Sequence, residues 1–441
     1  MKPLCVISCP IDTFSGYGAR SRDFVKALIQ VKGKKWDIKI MPQKWGDTPW
    51  NFIEEDNIIR SHIMGGPLNT KPNIWIMITI PNEFQPVGDY NIGITAGIES
   101  TLYSSEFIEG FNRMDLNLVS SHHSKNIALS TAYDKFDKKT NQKIGLTKIE
   151  KPIEILFEGL DLNNFFKNPN LKSNILEGVD EEFCFLYTGG WLPGDLGEDR
   201  KNTGLMVKTF LEAFNTPSNK KPALILKTQE VNHSIIDREK MLEKINNIKK
   251  QVKGNLPNIY LIHGQMTDGE LNELNNNPKI KAFISFTKGE GFGRPLLEQA
   301  ITGKPVITTN WSGHLDFLKP EYNILLGGEL KPIHESAANK WLIKESKWFN
   351  INADIASRAM KDIFKHYKKY WENSRKQTQY LKDNFSLDKM AEKIANLMPK
   401  GEMVPQTPSL NLPKLKKINK PEEKKIELPK LKLPKLKKIE V

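Results

Sequence analysis

Cysteine is scarce: the chain has 441 residues and only three cysteines, Cys5, Cys9 and Cys184. Three cannot pair completely, so no disulfide framework holds this chain together. Cys5 and Cys9 fall in an apolar strand pattern and its exit, and all three are expected as reduced core residues. Long hydrophobic runs are missing as well. No stretch approaches the roughly 20 apolar residues of a membrane helix, and the apolar run in MKPLCVISCP is too short for a signal peptide. A cytoplasmic protein is therefore expected. The 8 histidines are scattered, no His or Cys cluster has ligand spacing, and no Asp-x-Asp pair stands in a loop. No metal site is expected.

What is present in excess is positive charge, and it is unevenly placed. The formal net charge is +13. Residues 401–441 hold 11 lysines against 5 glutamates, a net +6, which leaves +7 for the other 400 residues. This tail repeats LPKLKKI at 412–418 and 433–439, with a shortened LPKLK at 428–432. Proline in every copy excludes a continuous helix, and too few apolar groups are present to offset ordering entropy. Disorder is expected, with weak electrostatic contact to DNA, a membrane surface or an acidic partner, since lysines release counterions from phosphates.

The length implies two or three units. Apolar strand patterns at 4–8, 38–41, 74–80, 91–95 and 116–120 alternate with helical patterns at 19–30, 105–112 and 124–130. After the Asn-rich segment 163–174, the same grammar repeats. Strands are expected at 183–188, 223–227, 259–263, 282–286 and 306–309, and helices at 204–214 and 235–253 and behind Thr267, with Glu270 in its first turn. Helices at 353–382 and, capped by Ser386, at 387–397 close the body. Such alternation predicts parallel, doubly wound sheets. The divisions expected are 1–165, a linker 166–182, 183–350, closing helices 351–400 and the tail 401–441.

The most informative stretch is SFTKGEGFGRPLLEQAITGKPVITTNWSGHLDFL, 285–318. Gly291 and Gly293 allow a tight turn, Pro295 suits a first helical position, and Glu298 falls in the first helical turn. Amides near Gly293, Arg294 and Leu296 form a seat for a phosphate, because positive polarity collects at a helix start. A carboxylate beside them can accept both hydroxyls of a ribose diol. Each feature alone is ordinary helix-start grammar. The combination of Glu290, seven intervening residues, Glu298 and then Gly303-Lys304-Pro305 before a strand resembles retaining glycosyltransferases of the GT-B fold, the glycosyltransferase 4 family (glycosyl transferases group 1), with its E-x7-E motif.

The resemblance implies an α/β protein of GT-B architecture, two Rossmann-like doubly wound domains facing across a cleft, plus the disordered basic tail. It implies a hexosyltransferase that uses a UDP- or GDP-linked sugar donor and a hydroxyl acceptor, needing neither cofactor nor metal. The N-terminal domain would serve the acceptor, and the last helix would pack back on it. Lys201 would be the diphosphate cation, Glu298 the ribose ligand and Glu290 a neighbour of the donor sugar. The family's arginine after the first strand of the second domain is replaced here by Gly189-Gly190-Trp191. Arg200, Lys227 or Lys288 would fill that role, although a solvated loop lysine is the plainer reading of Lys288. The loop at Gly264 would receive the base, with uracil and guanine both open.

On the acceptor side, Gly16 and Gly18 resemble the family's flexible phosphate loop. A dinucleotide fingerprint would need a third glycine where Ser21 stands, which weakens that rival. Glu99, in TAGIES, takes roughly the place of a histidine that many relatives carry near the sugar. Glu83 follows a strand at the same sheet edge and could bind acceptor hydroxyls. Glu158 to Asp161 resembles the family's domain-junction turn, with Asp161 as the cap of the next turn. Two rivals stand beside this reading: a sugar-nucleotide epimerase or phosphorylase of the same architecture, and a nucleic-acid-binding or DNA-modifying sugar transferase tethered by the tail.

Overall fold

The computed structural model of the protein describes residues 2–137 and 139–399. The disorder expected of 401–441 lies outside them. Two six-stranded sheets carry the fold, every strand pair in them parallel. The first runs, edge to edge, Asp37–Pro42, Leu4–Cys9, Ile74–Ile78, Tyr90–Ile94, Leu116–Val119 and Ile153–Ile155. The second runs Ile259–Ile262, Ala223–Lys227, Cys184–Thr188, Ile280–Ile284, Val306–Thr309 and Ile324–Leu326. A strand covered on both faces has no polar side to show, which is why Ile74–Ile78 reads IWIMI and is buried throughout. The sequence patterns for these strands fall within a few residues of the observed ones. Ile153–Ile155 and Ile324–Leu326, three residues each, are too short to have stood out.

Polar caps fix the helix starts. Ser15 Oγ accepts the Gly18 amide at 2.9 Å and starts the helix at Gly16–Lys32, three residues earlier than the apolar pattern suggested. Thr267 and Glu270 form the expected reciprocal capping box at Asp268–Asn276. The closing pattern 353–382 is two helices, Ala353–Lys365 and Tyr367–Asn384, broken at His366. Beyond it, Leu387–Leu397 returns to the first sheet, where Met390, Ala391 and Ile394 are buried among residues such as Phe24, Leu28 and Ile40. Full burial of each of the two larger side chains is worth about 1.5–3 kcal/mol.

The stretch 166–182 contains no helix or strand, yet it is pinned. Asn272 and Asn276 accept the amides of Phe166 and Asn168 at 3.2 and 2.7 Å, and Leu176 and Val179 enter the second core. Two antiparallel hairpins were not anticipated. One, Ala132–Phe136 with Lys143–Lys148, is almost wholly exposed and so has no apolar face to betray it. The other pairs Gly328–Pro332 with Lys347–Ile351. The three cysteines are buried and unpaired.

Candidate active site

The strand order of the second sheet reverses between Cys184–Thr188 and Ile280–Ile284, so the chains leaving these neighbours diverge and open a crevice at their carboxyl ends. Two loops fill its rim. In the first, Asp199 accepts the Asn202 amide at 2.8 Å and Asn202 takes a left-handed φ of 54°. That turn lets two successive cations face the second loop. Lys201 Nζ lies 2.6 Å from one oxygen of Glu290, and Arg200 Nη1 lies 3.4 Å from the other and donates to the Gly289 carbonyl at 2.9 Å. The Lys288 amide donates to the Arg200 carbonyl at 2.8 Å, stitching the loops together. Glu290 is further held by its own amide, which donates to Ser312 Oγ at 2.9 Å. Burial alone would raise the Glu290 carboxyl, but Lys201 and Arg200 outweigh it and hold it down at about 2. Arg200 also reaches Glu99 across the cleft, at 3.5 Å.

Gly293 adopts φ 97°, a left-handed conformation suited to glycine, and the short helix Arg294–Ala300 follows. Here the site departs from the sequence expectation. The Leu296 amide is already bonded to the Gly293 carbonyl at 2.9 Å, and its side chain is buried. The Arg294 side chain is a link between the halves: its Nε donates to Glu298 at 2.7 Å and its Nη1 to Asp23 of the opposite half. Burial, with Asp268 and Asp23 nearby and Arg294 opposing, lifts the Glu298 carboxyl to about 7. The same carboxylates push Arg294 upward, so its guanidinium stays charged.

Two cavities are lined in part by residues of these loops. One, of about 370 Å³, is lined by Glu298, Lys227, Gln265, Gly190 and Gly16 among others. The other, of about 500 Å³, includes Glu99, Arg200, Tyr17 and Leu192. Their linings are neighbours in sequence at Gly16 and Tyr17, and lie two residues apart at Gly190 and Leu192. Gly264, at φ 134°, turns the chain toward Gln265 and Met266, which line the smaller cavity. Burial lowers the Lys227 ammonium.

The halves touch directly at this point. Ser120 and Ser121 hydroxyls donate to the Gly291 carbonyl at 3.0 and 2.6 Å. A Cβ on Gly289 would stand 2.0 Å from the Glu99 carbonyl oxygen, and one on Gly291 would stand 2.1 Å from that of Ala96. Gly291 was expected to serve a turn; its backbone is not left-handed, and it is the approach of the other half that requires glycine there. Gly18 is likewise buried in the first helical turn, where a Cβ would meet the Thr13 carbonyl at 2.2 Å, whereas Gly16 faces open space.

Other expected residues lie elsewhere. Glu83 is exposed and bonded to Thr79. Lys288 is not solvated: it is buried, bonded to the Gly197 carbonyl and seated 4.3 Å from the Trp348 ring centroid. Glu158 pairs with buried Arg20 at 3.3 Å, and Asp161 accepts the Asn163 amide at 3.0 Å, a local turn as expected. Asp23, Ser120, Ser121 and Trp341 were missed. Asp23 had a signal, since Arg20-Ser21-Arg22-Asp23 is a polar run in the early turns of an otherwise core-facing helix. Among the described residues, no group of three or more His, Cys, Asp or Glu is placed to hold a metal ion.

Residues 206–377 match the family model for Glycosyl transferases group 1. No curated protein matches the chain. Among solved structures, the fold is similar to that of a sucrose-phosphate synthase from Thermosynechococcus elongatus, at 12% identity and TM-score 0.59, covering 90% of this chain and 98% of that one. A glycosyltransferase from Rickettsia africae ESF-5 aligns at 14% identity and TM-score 0.58, over 90% and 97%. Anabaena HepE, solved with UDP-glucose, aligns at 10% identity and TM-score 0.55, over 89% and 98%. The second half thus carries a group 1 glycosyltransferase domain, and the two six-stranded parallel sheets match the GT-B architecture.

Proposed function

We propose that the chain is a retaining transferase of the glycosyltransferase 4 family. It moves a hexose-type sugar from a UDP- or GDP-linked donor to a hydroxyl acceptor in the cytoplasm, with no metal cofactor. The observation that carries this reading is the convergence of Arg200 and Lys201 on Glu290 at the sheet's reversal point. Sugar transfer leaves a diphosphate whose new negative charge must be met. Two cations fixed before the reaction begins can do so without reorganising. The smaller cavity suits the donor: Glu298 accepts the ribose hydroxyls, Lys227 adds a cation, the loop after Gly264 receives the base, and bare Gly16 admits the phosphates. Anabaena HepE, with UDP-glucose bound, supports a uridine donor.

In the step itself, the bond from the anomeric carbon to the phosphate oxygen breaks and a bond to the acceptor oxygen forms on the same face. The acceptor proton passes to the departing phosphate oxygen. Lys201 and Arg200 hold that oxygen's charge, Glu290 keeps both cations aimed, and Glu99 accepts a hydrogen bond from an acceptor hydroxyl. The lysine-rich tail acts as a weak electrostatic tether.

The test begins with thermal shifts on UDP, GDP, ADP and their sugars in the presence of a chelator, because selective binding raises apparent stability. With the active donor, Lys201→Ala and Glu290→Gln should each lower transfer by about 10²–10³-fold in a protein that still folds. Wild-type turnover by both variants at saturating donor would remove the site assignment. Nuclear magnetic resonance of the product decides the stereochemistry, and an inverted anomeric centre would end the retaining reading.

A further inference from the structure

The larger cavity, of about 500 Å³, is walled by aromatic rings drawn from both halves. On one side Tyr17 and Trp45 stack with centroids 4.1 Å apart at 29°. On another, Phe107 of the helix Ser105–Asn112 stacks on Trp341 at 5.1 Å and 23°. Trp341 sits at the tip of the hairpin Gly328–Pro332 with Lys347–Ile351, which extends from the second half onto the first. The tip is held in place. Ser336 donates to Glu198 at 2.9 Å, and Asn339 Oδ1 accepts the Trp341 and Leu342 amides at 2.8 and 2.9 Å. Where the ladder meets the tip loop, the Thr101 amide donates to the Lys347 carbonyl at 3.0 Å, and the Lys347 amide to Thr101 Oγ1 at 2.8 Å. Tyr17 cannot swing away either, since its hydroxyl meets Thr95 Oγ1 at 2.8 Å and the Ala96 amide at 3.1 Å.

The charged residues lining this cavity are Glu99, Asp199 and Arg200. Arg200 is committed to Glu290 and the Gly289 carbonyl, and Asp199 to the Asn202 amide. Glu99 is less occupied: Arg200, at 3.5 Å, is its charged partner. Flat aromatic walls accept the apolar C–H face of a sugar ring, while a carboxylate at the rim accepts its hydroxyls. A phosphate entering here would meet two carboxylates, while Arg200, the one cation of this lining, is assigned to the donor diphosphate in the reading above and Lys340, 4.3 Å from the Trp341 ring centroid, lies beside the lining. A nucleobase would also stack, but its backbone would bring that same charge.

Resting on the transferase reading above, we infer that this cavity is the acceptor subsite and that its occupant is a neutral saccharide ring. Trp341 is the platform that selects the ring, and Glu99 receives one of its hydroxyls. The hairpin is the specificity-determining element of the enzyme.

The full-length chain, given its active donor, is offered neutral mono- and oligosaccharides, sugar phosphates and a single-stranded DNA oligonucleotide, with transfer read by mass. Neutral saccharides should be the substrates. Trp341→Ala should raise the acceptor KM about tenfold with kcat changed by less than about twofold, and Trp341→Phe, which keeps a ring, should recover most of the loss. The donor-induced thermal shift, which reads the other cavity, should persist in both variants. Transfer only to phosphorylated sugars or DNA, or an unchanged acceptor KM in Trp341→Ala, overturns the inference. A wild-type donor shift with no neutral acceptor defeats this inference alone, whereas no donor shift at all defeats the transferase reading and this one with it.

Discussion

Adding one methyl group at position 291 should part the two halves at the reacting end of the cleft. The alanine Cβ would lie 2.1 Å from the Ala96 carbonyl oxygen, and the obstacle is backbone, so no side chain can rotate out of the way. Restoring an ordinary contact needs a separation of about 1 Å, and a misplacement of that size can cost roughly 10²-fold in rate. The same movement stretches the bonds from Ser120 and Ser121 to the Gly291 carbonyl, now 3.0 and 2.6 Å. An overpacked contact of this kind costs about 1–3 kcal/mol of stability. Gly291 has no left-handed φ, so backbone strain does not confuse the result, whereas Gly293→Ala, at φ 97°, would act through strain. The assay is steady-state transfer at saturating donor and acceptor, paired with donor affinity by calorimetry. We expect kcat to fall about a hundredfold with donor affinity nearly unchanged. A folded Gly291→Ala enzyme with wild-type kcat would show that the observed approach of the halves is not the reacting geometry.

Two further outcomes concern protons. Glu290 falls from an ordinary 4.5 to about 2, and at about 1.4 kcal/mol per tenfold change in proton affinity its ionised form gains roughly 3 kcal/mol from its surroundings. The folded value lies below the unfolded one, so this stability is complete above about pH 5 and is lost as pH falls toward 2. Glu290→Gln should therefore unfold at lower urea than wild type at pH 7, with the gap narrowing below pH 4; equal midpoints at pH 7 would contradict the pairing. Glu298 shifts the other way, from 4.5 to about 7, so folding stability declines as pH rises across that window. In the proposed role of Glu298 as ribose ligand its ionised form accepts the hydroxyls, and the diphosphate is already fully charged there. Donor affinity should accordingly rise as pH passes about 7, and a titration that stays flat in wild type, or that steps equally in Glu298→Gln, would count against Glu298 as the ribose ligand.

Much of this was legible because a strand buried on both faces leaves a continuous apolar run. The patterns at 223–227 and 306–309 coincide with strands at Ala223–Lys227 and Val306–Thr309. Glu290 could be singled out because a motif spacing marks it locally, and Lys201 only through the family resemblance, since a lysine at a helix start is unremarkable by itself. What stayed hidden depends on pairs distant in sequence. Asp23 and Arg294 are 271 residues apart, and nothing beside either one announces the other. The fate of Lys288 turned on Trp348, sixty positions away on an unforeseen hairpin. Gly291 showed the converse: the residue was noticed, but its reason, a carbonyl from the facing half, belongs to no local pattern.

The return of Leu387–Leu397 to the first sheet has a consequence for biosynthesis. Met390 and Ile394 belong to the core that also holds Phe24 and Ile40, so the ribosome has made nearly the whole described chain before that core can be sealed. The second sheet has all its strands once Ile324–Leu326 has emerged, and its cores take their last residues, Leu381 and Phe385, before Met390 and Ile394 are made. Domains commonly mature in the order of synthesis; here the half translated first should be the last to lock, waiting with an open flank for its final helix.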